Sequence, residues 1–229
     1  MLLMHKVFLK ILFLIPVVGY ANDPFEEINR EVWTFNEGVD NRIARPVAEF
    51  YDDVVPTQVQ SSITNFFSNL DEIDNSINQL LQGKPVAAGN DFARFLVNTT
   101  FGFLGFFDVA SIMGLEEHDE DFGQTLAVWG VPDGPYLVLP GLGPSTMRDT
   151  LAMIPDAFLT PLWLIDHDRT SYSLTAIDLI DTRARYLGLE SVVIGDEYLF
   201  YRDAYLQSRQ FEIKDGEIED DFDDFDDFN

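Results

Sequence analysis

Between Phe92 and Phe107 the chain carries sixteen residues, of which ten are Phe, Leu, Val or Ala and only one, Arg94, is charged. A stretch this apolar has to leave water, and where it goes decides the architecture. As a helix it would be about 24 Å long at 1.5 Å per residue, short of the ~30 Å hydrocarbon core that a spanning helix crosses. Gly102 and Gly105 would bend or break its second half. Two placements are open: a helix buried in a protein core, or a segment lying within one leaflet of a bilayer. Pattern alone favours the core.

The first residues, with Lys6 ahead of an apolar run from Val7 to Val18 and small residues at Gly19 and Ala21, read as a secretory signal cut after Ala21. The run is too short for a membrane anchor and contains Lys10 and Pro16. Residues 1–21 hold two of the 14 basic residues and none of the 40 acidic ones, so cutting them moves the formal charge from −26 to −28. A chain this acidic repels nucleic acid and gains nothing from anionic headgroups, so any contact with a membrane has to come from apolar area. Twenty Phe, eight Tyr and three Trp supply it. With no cysteine, there is no disulfide, thiolate nucleophile or lipidated cysteine in this sequence.

Helical spacing organises residues 22–214 into one domain, which is expected to be mainly α with Gly/Pro-rich loops and at most a short extended piece. Asp23, Pro24 and Glu26 form a helix start, and Phe25, Ile28, Val32, Phe35, Val39 and Ile43 give that helix one apolar face, ending before Pro46. A second helix follows Pro56 and closes at Gly83, with Asn65 and Asn69 as points of interruption. From Asp121 to Pro144 dense Gly and Pro predict loop, enclosing only Tyr136–Leu139 as an extended piece. Thr146 with Asp149 makes a capping box for a helix that Pro155 and Pro161 kink or stop. Two more helices are expected at about 174–187, closed by Gly188, and at about 196–210, where Tyr198, Tyr201 and Tyr205 share a face as ordinary packing. The tail 215–229, with nine acids in fifteen residues, is too polar to order itself and reads as a solubilising end.

Covalent chemistry finds no foothold. His118 and His167 read as solvated loop residues without zinc-protease spacing. Gly141–Ser145 lacks the nucleophile-elbow pattern, no phosphate loop occurs, and no spacing singles out a carboxylate pair. The expectation is a non-enzymatic protein without cofactor or metal.

Several strings resemble one family in order along the chain: Asn22–Arg30, Phe35–Asn36, Asn78–Gly83, Arg94–Thr99, Gly105–Ala110, Asp121–Leu126, Gly134–Asp149, Asp181–Ala184 and Tyr201–Gln207. They are similar to the MlaA (VacJ) family of outer-membrane phospholipid-transport proteins. That resemblance implies a ring-like helical protein in the inner leaflet of the outer membrane, with an amphipathic channel. It also implies that phospholipid passes from the outer leaflet toward a periplasmic lipid carrier of the Mla pathway, with an outer-membrane porin as partner. It tips Phe92, Phe95, Phe101, Phe103, Phe106 and Phe107 toward contact with lipid. Asn78, Gln82, Arg94, Asn98, Asp108, Gln124, Arg148 and Asp149 match the family's motifs as channel or bracing residues, with bracing the favoured role, and Asn36 is a candidate near the path. The family's members are typically lipoproteins cut before a cysteine, from which this chain departs. A soluble periplasmic binding or adaptor protein is the competing reading.

Overall fold

The computed structural model describes residues 23–159, 168–188 and 193–217. Helices α1 (Glu26–Val39) and α2 (Arg45–Val54) are joined by a π-helical turn, Asp40–Ala44, so the chain stays helical through Pro46 instead of stopping before it. Pro46 closely follows the π-helical turn, whose wider winding is where this continuous helix accommodates a residue that cannot donate. The start of α1 also differs from expectation. Its N-cap is Phe25, while the Asp23 side chain accepts from Phe25 N (3.2 Å) and Asn29 Nδ2 (3.0 Å).

Helix α3 (Thr57–Leu81) runs unbroken through Asn65 and Asn69, because the Asn69 amide bonds across to Thr99 (3.0 Å) and does not compete for its own backbone. Gly83, at φ 81°, closes it. Helix α4 (Pro85–Thr100) begins before the greasy stretch and ends inside it; a tight turn over residues 101–107 then leads to the short α5 (Val109–Ile112). That turn is strained: Phe103 and Leu104 both sit in the left-handed region, at φ 53° and 61°. Gly102 makes it possible, since a Cβ there would lie 2.1 Å from Phe107 O.

The expected loop from Asp121 holds more structure than foreseen. Helix α6 (Phe122–Val128) starts from an Asp121 cap, and the extended piece β1 (Tyr136–Leu139) pairs antiparallel with β2 (Gly143–Thr146), Tyr136 opposite Thr146. The Thr146–Asp149 capping box opens α7 (Met147–Leu159), which continues past Pro155; Pro161 lies outside the described residues. Helices α8 (Asp168–Arg185) and α9 (Glu197–Ile213) complete the set among the described residues. Asn29 and Asn36, two turns apart on α1, bind the backbone of the hairpin at Tyr136 O, Val138 N, Leu139 O and Gly141 N. Tyr136, Val138, Tyr198 and Leu206 form the small apolar cluster between α1, the hairpin and α9.

Burial is inverted relative to a water-soluble globule. Among the described residues nine hydrophobic side chains are buried against nineteen polar or charged ones, while 34 large hydrophobic side chains are exposed. Helix α4 shows the pattern plainly, burying Ala88, Asp91, Arg94 and Asn98 while Phe92 and Leu96 face out. The placement of the Phe92–Phe107 stretch in a sealed core is thereby overturned: Phe101 is 78% exposed, Phe103 69% and Phe107 60%. The same outward turn applies to Ile28 and Phe35 of α1 and Ile43 of the π turn, which are exposed and continue into Val47, Phe50 and Val54 of α2. No helix among the described residues is long and apolar enough to cross a membrane.

Candidate functional site: a polar interior behind an apolar rim

Three polar networks hold the interior together. In the first, Arg94 on α4 reaches Glu72 on α3, Ser111 Oγ (3.0 Å), Leu115 O (2.9 Å) and Asp108 (3.6 Å). Asn98 donates to Asp108 (3.1 Å) and accepts from Ala110 N (2.8 Å), and Asp108 caps α5. Arg94, Asn98 and Asp108 therefore brace the aromatic turn at its base. Burial pushes the Glu72 carboxyl up to about 8, against the pull of Arg94. Burial also opposes charge on Asp108, but the bonds from Ser111 and Asn98 outweigh it and hold that carboxyl low.

The second network sutures the segment before α6 to the polar face of α3. Asn75 donates to His118 O (2.8 Å) and accepts from Glu120 N (3.0 Å), while Asn78 accepts from Thr125 Oγ1 (2.8 Å). Gln79 and Gln82 donate to the two oxygens of Glu120 at 2.8 and 2.6 Å, and Gln124 donates to Asp119 O (2.8 Å). His118 is not the solvated residue expected: its Nδ1 lies 2.5 Å from the buried Asp91. His167 lies outside the described residues.

In the third, Arg209 of α9 forks between Asp121 (2.6 and 2.7 Å) and Asp149 (2.9 and 3.1 Å). Arg148 bonds Asp149 (3.0 Å) and Asp133, and Tyr205 and Thr146 also donate to Asp149. Burial disfavours charge on both Asp149 and Arg209, yet the Arg209 fork keeps Asp149 low and the two carboxylates keep Arg209 firmly protonated.

Inside these braces lies a group that the sequence did not single out. Asp71 and Asp119 retain exposed surface, yet crowding by protein is the largest cause raising both carboxyls, Asp71 to about 7 with help from Asp178 and Asp119. Asp74 is likewise raised by burial to about 7 and Asp156 to about 6, and Asp178 is raised as well. Only the polar stripe Asn75, Asn78, Gln79 and Gln82, at helical spacing on α3, was a sequence signal for this face. No group of three or more His, Cys, Asp or Glu among the described residues is arranged to hold a metal ion.

The rings named as lipid contacts divide by position. Phe92, Phe101, Phe103 and Phe107 are exposed; Phe95 is half-buried, and the half-buried Phe106 stacks on Phe66 at 5.2 Å. Of the polar candidates, Asn36, Asn78, Arg94, Asn98, Gln124, Arg148 and Asp149 are engaged with protein partners in the three networks or the hairpin, as are Gln82 and Asp108.

Comparison with known proteins gives one answer at three levels. The chain is 34% identical to the intermembrane phospholipid transport system lipoprotein MlaA of Haemophilus influenzae, covering 88% of this chain and 83% of that one. It is 36% identical to the protein of the same name from Escherichia coli K12, covering 86% and 80%. A solved structure described as the structural basis for maintenance of bacterial outer membrane lipid asymmetry matches with a TM-score of 0.75 and 35% identity, over 84% of this chain and 99% of that one. With the profile of the MlaA lipoprotein matching residues 21–212, this chain belongs to the MlaA lipoprotein family.

Proposed function

We propose that the protein carries phospholipid between membranes without covalent chemistry, taking misplaced lipid from the outer leaflet of the outer membrane toward a periplasmic carrier and so maintaining lipid asymmetry. The observation that supports this most is the inverted burial, nineteen polar or charged side chains inside and 34 large hydrophobic ones outside among the described residues. Such a distribution suits a body ringed by lipid tails with a polar path for headgroups through it.

In this reading the cut after Ala21 releases residues 22–214 as the working domain, with 215–229 as a solvated tail, on the periplasmic face of the outer membrane. The exposed rings Phe92, Phe101, Phe103 and Phe107 meet acyl chains, Phe95 and Phe106 pack at their edge, and the Arg94 and Arg209 networks hold the body open. Four rings at these exposures present on the order of 500 Å², worth roughly 13 kcal/mol in hydrocarbon at ~25 cal/mol/Å². An outer-membrane porin is the partner that would seat the body beside the outer leaflet, and a periplasmic lipid carrier would accept the cargo. The test is the surface phospholipid content of cells lacking the chain, before and after it is restored. Accumulation that the restored chain reverses supports the proposal; surface lipid indifferent to the chain refutes it.

A further inference from the structure

At the corner where α3 turns into α4 the surface opens into a recess of about 520 Å³, lined from three stretches of chain: Gln79 and Lys84 at the corner, Glu116–His118 before α6, and Asp215 after α9. That volume suits a small organic molecule. Gln79 is 2% exposed; its amide nitrogen donates to Glu120 (2.8 Å), and its Oε1 is buried without a partner. A buried acceptor in that state calls for a donor. His118 turns Nδ1 to the buried Asp91 at 2.5 Å, and because a carboxylate can only accept, Nδ1 is the donor and the neutral ring keeps Nε2 as an acceptor. Lys84 is committed to Asp215 (2.5 Å) and lies 3.7 Å from Glu120, while neither Glu116 nor Glu117 makes a salt bridge among the described residues. The segment that carries them is fixed by its backbone: Leu115 O accepts from Arg94 (2.9 Å), Glu116 O from Asn90 (2.5 Å) and His118 O from Asn75 (2.8 Å). The acceptors are therefore held in place before any ligand arrives.

We infer that this recess binds a primary ammonium group carried on a small organic body. A primary ammonium has three N–H donors and no acceptor, which matches Gln79 Oε1, His118 Nε2 and the carboxylates of Glu116 and Glu117. The unpaired acids repel an anion, and the acids with His118 do not converge as metal ligands. A quaternary ammonium has no N–H to offer the orphaned oxygen and seeks aromatic faces, and no Phe, Tyr or Trp lines the recess. A lone ammonium ion is far smaller than the space, so the amine comes attached to something larger. The ethanolamine headgroup of a phospholipid and a soluble polyamine both present that chemistry. The inference stands apart from the transport reading, because the recess binds an amine whether or not lipid crosses the body.

The experiment titrates the full chain, in a maltoside detergent and an amine-free phosphate buffer, by isothermal calorimetry with three probes: glycerophosphoethanolamine, its trimethylated analogue glycerophosphocholine, and spermidine. Glycerophosphoethanolamine is expected to bind roughly tenfold tighter than glycerophosphocholine, since the methyl groups remove every donor the buried oxygen could use. The Glu116→Gln/Glu117→Gln variant changes two exposed side chains whose backbone contacts remain, so it keeps the native circular dichroism and melting temperature. Each lost carboxylate about 5 Å from an ammonium in water-like surroundings is worth about fourfold, so the pair should weaken amine binding on the order of tenfold. Binding of glycerophosphoethanolamine without spermidine supports the recess with a lipid headgroup as the source, and spermidine binding that weakens in the variant supports it with a soluble amine. The inference is overturned if neither amine binds, if glycerophosphocholine binds as tightly as glycerophosphoethanolamine, or if the folded double variant binds both amines as the native chain does.

Discussion

Gly123, in the first turn of α6, sits where the Arg209 fork closes. A Cβ built there would lie 2.4 Å from Arg209 Nη2, 2.4 Å from Asp149 Oδ1 and 3.0 Å from Asp121 Oδ1. All three atoms belong to a charge network fixed from α7, α9 and the α6 cap, so none can retreat without losing a partner. Gly123→Ala should gain up to ~1 kcal/mol in helix propensity. Against that stands the loosening of a buried ion pair, a loss of about 3–5 kcal/mol when a charge is left uncompensated. The expected net cost is about 2–4 kcal/mol, which for a domain of this size lowers Tm by roughly 5–15 °C. Gly89→Ala is the control, because nothing lies within 4 Å of a Cβ there and the residue is an exposed position of α4; it should hold or raise Tm. Thermal unfolding of detergent-purified protein, followed by far-UV circular dichroism, reads both. If Gly123→Ala melts at or above the native temperature while the control behaves, the fork is not the brace described.

Folding raises the Asp71, Asp74 and Asp156 carboxyls from 3.8 to about 7, 7 and 6, so the stability they lend is complete below about pH 4 and is lost as pH rises through 6 to 7. Asp40, Asp108 and Asp149 are lowered instead, and their contribution fails only as pH drops below about 4. Tm should thus climb between pH 8 and pH 5 and collapse in stronger acid; a maximum at pH 8 would contradict this assignment. Asn36→Ala deletes bonds to Leu139 O (2.9 Å) and Gly141 N (2.7 Å) and should cost about 1–3 kcal/mol, with faster amide exchange confined to residues 138–146; unchanged exchange there would remove Asn36 from its bracing role. Changing Phe101, Phe103 and Phe107 together to Ser should shift the protein from the carbonate-resistant membrane fraction toward the wash, and full retention would mean that other faces hold it there.

Local signals in the sequence were strong where backbone chemistry decides the outcome. Asp196 caps α9 through Leu199 N, Gly83 and Gly188 take positive φ at helix ends, and the Thr146–Asp149 box opens α7. What escaped was direction. Helical spacing identifies an apolar face but not what it faces, so Phe35 and Phe92, which would be core in water, point outward. Pairing escaped too: β2 is Gly-Pro-Ser-Thr, with no alternating apolar pattern, and exists because β1 and Asn29 fix the hairpin. The raised carboxylates were hidden among 40 acids, since only the packing of α3 against α7 and α8 distinguishes Asp71, Asp156 and Asp178 from the rest. Arg94, Asn98 and Arg148 were legible through family resemblance, and the structure adds what each one holds.

The π-helical turn at Asp40–Ala44 has a geometric consequence for the outward line Phe35, Val39, Ile43, Val47, Phe50 and Val54. On a regular helix a step of four residues advances about 400° and a step of three about 300°, so this line, with four steps of four and one of three from Val47 to Phe50, would creep about 100° round the cylinder. One turn that swallows an extra residue takes back about 100°, and so cancels most of the creep across both helices. Were the same residues to wind as ordinary helix, Val47, Phe50 and Val54 would twist about a quarter-turn away from Phe35, dividing one continuous greasy seam into two that no flat hydrocarbon surface could cover at the same time. Shortening the segment by a single residue, by contrast, would keep the two halves aligned.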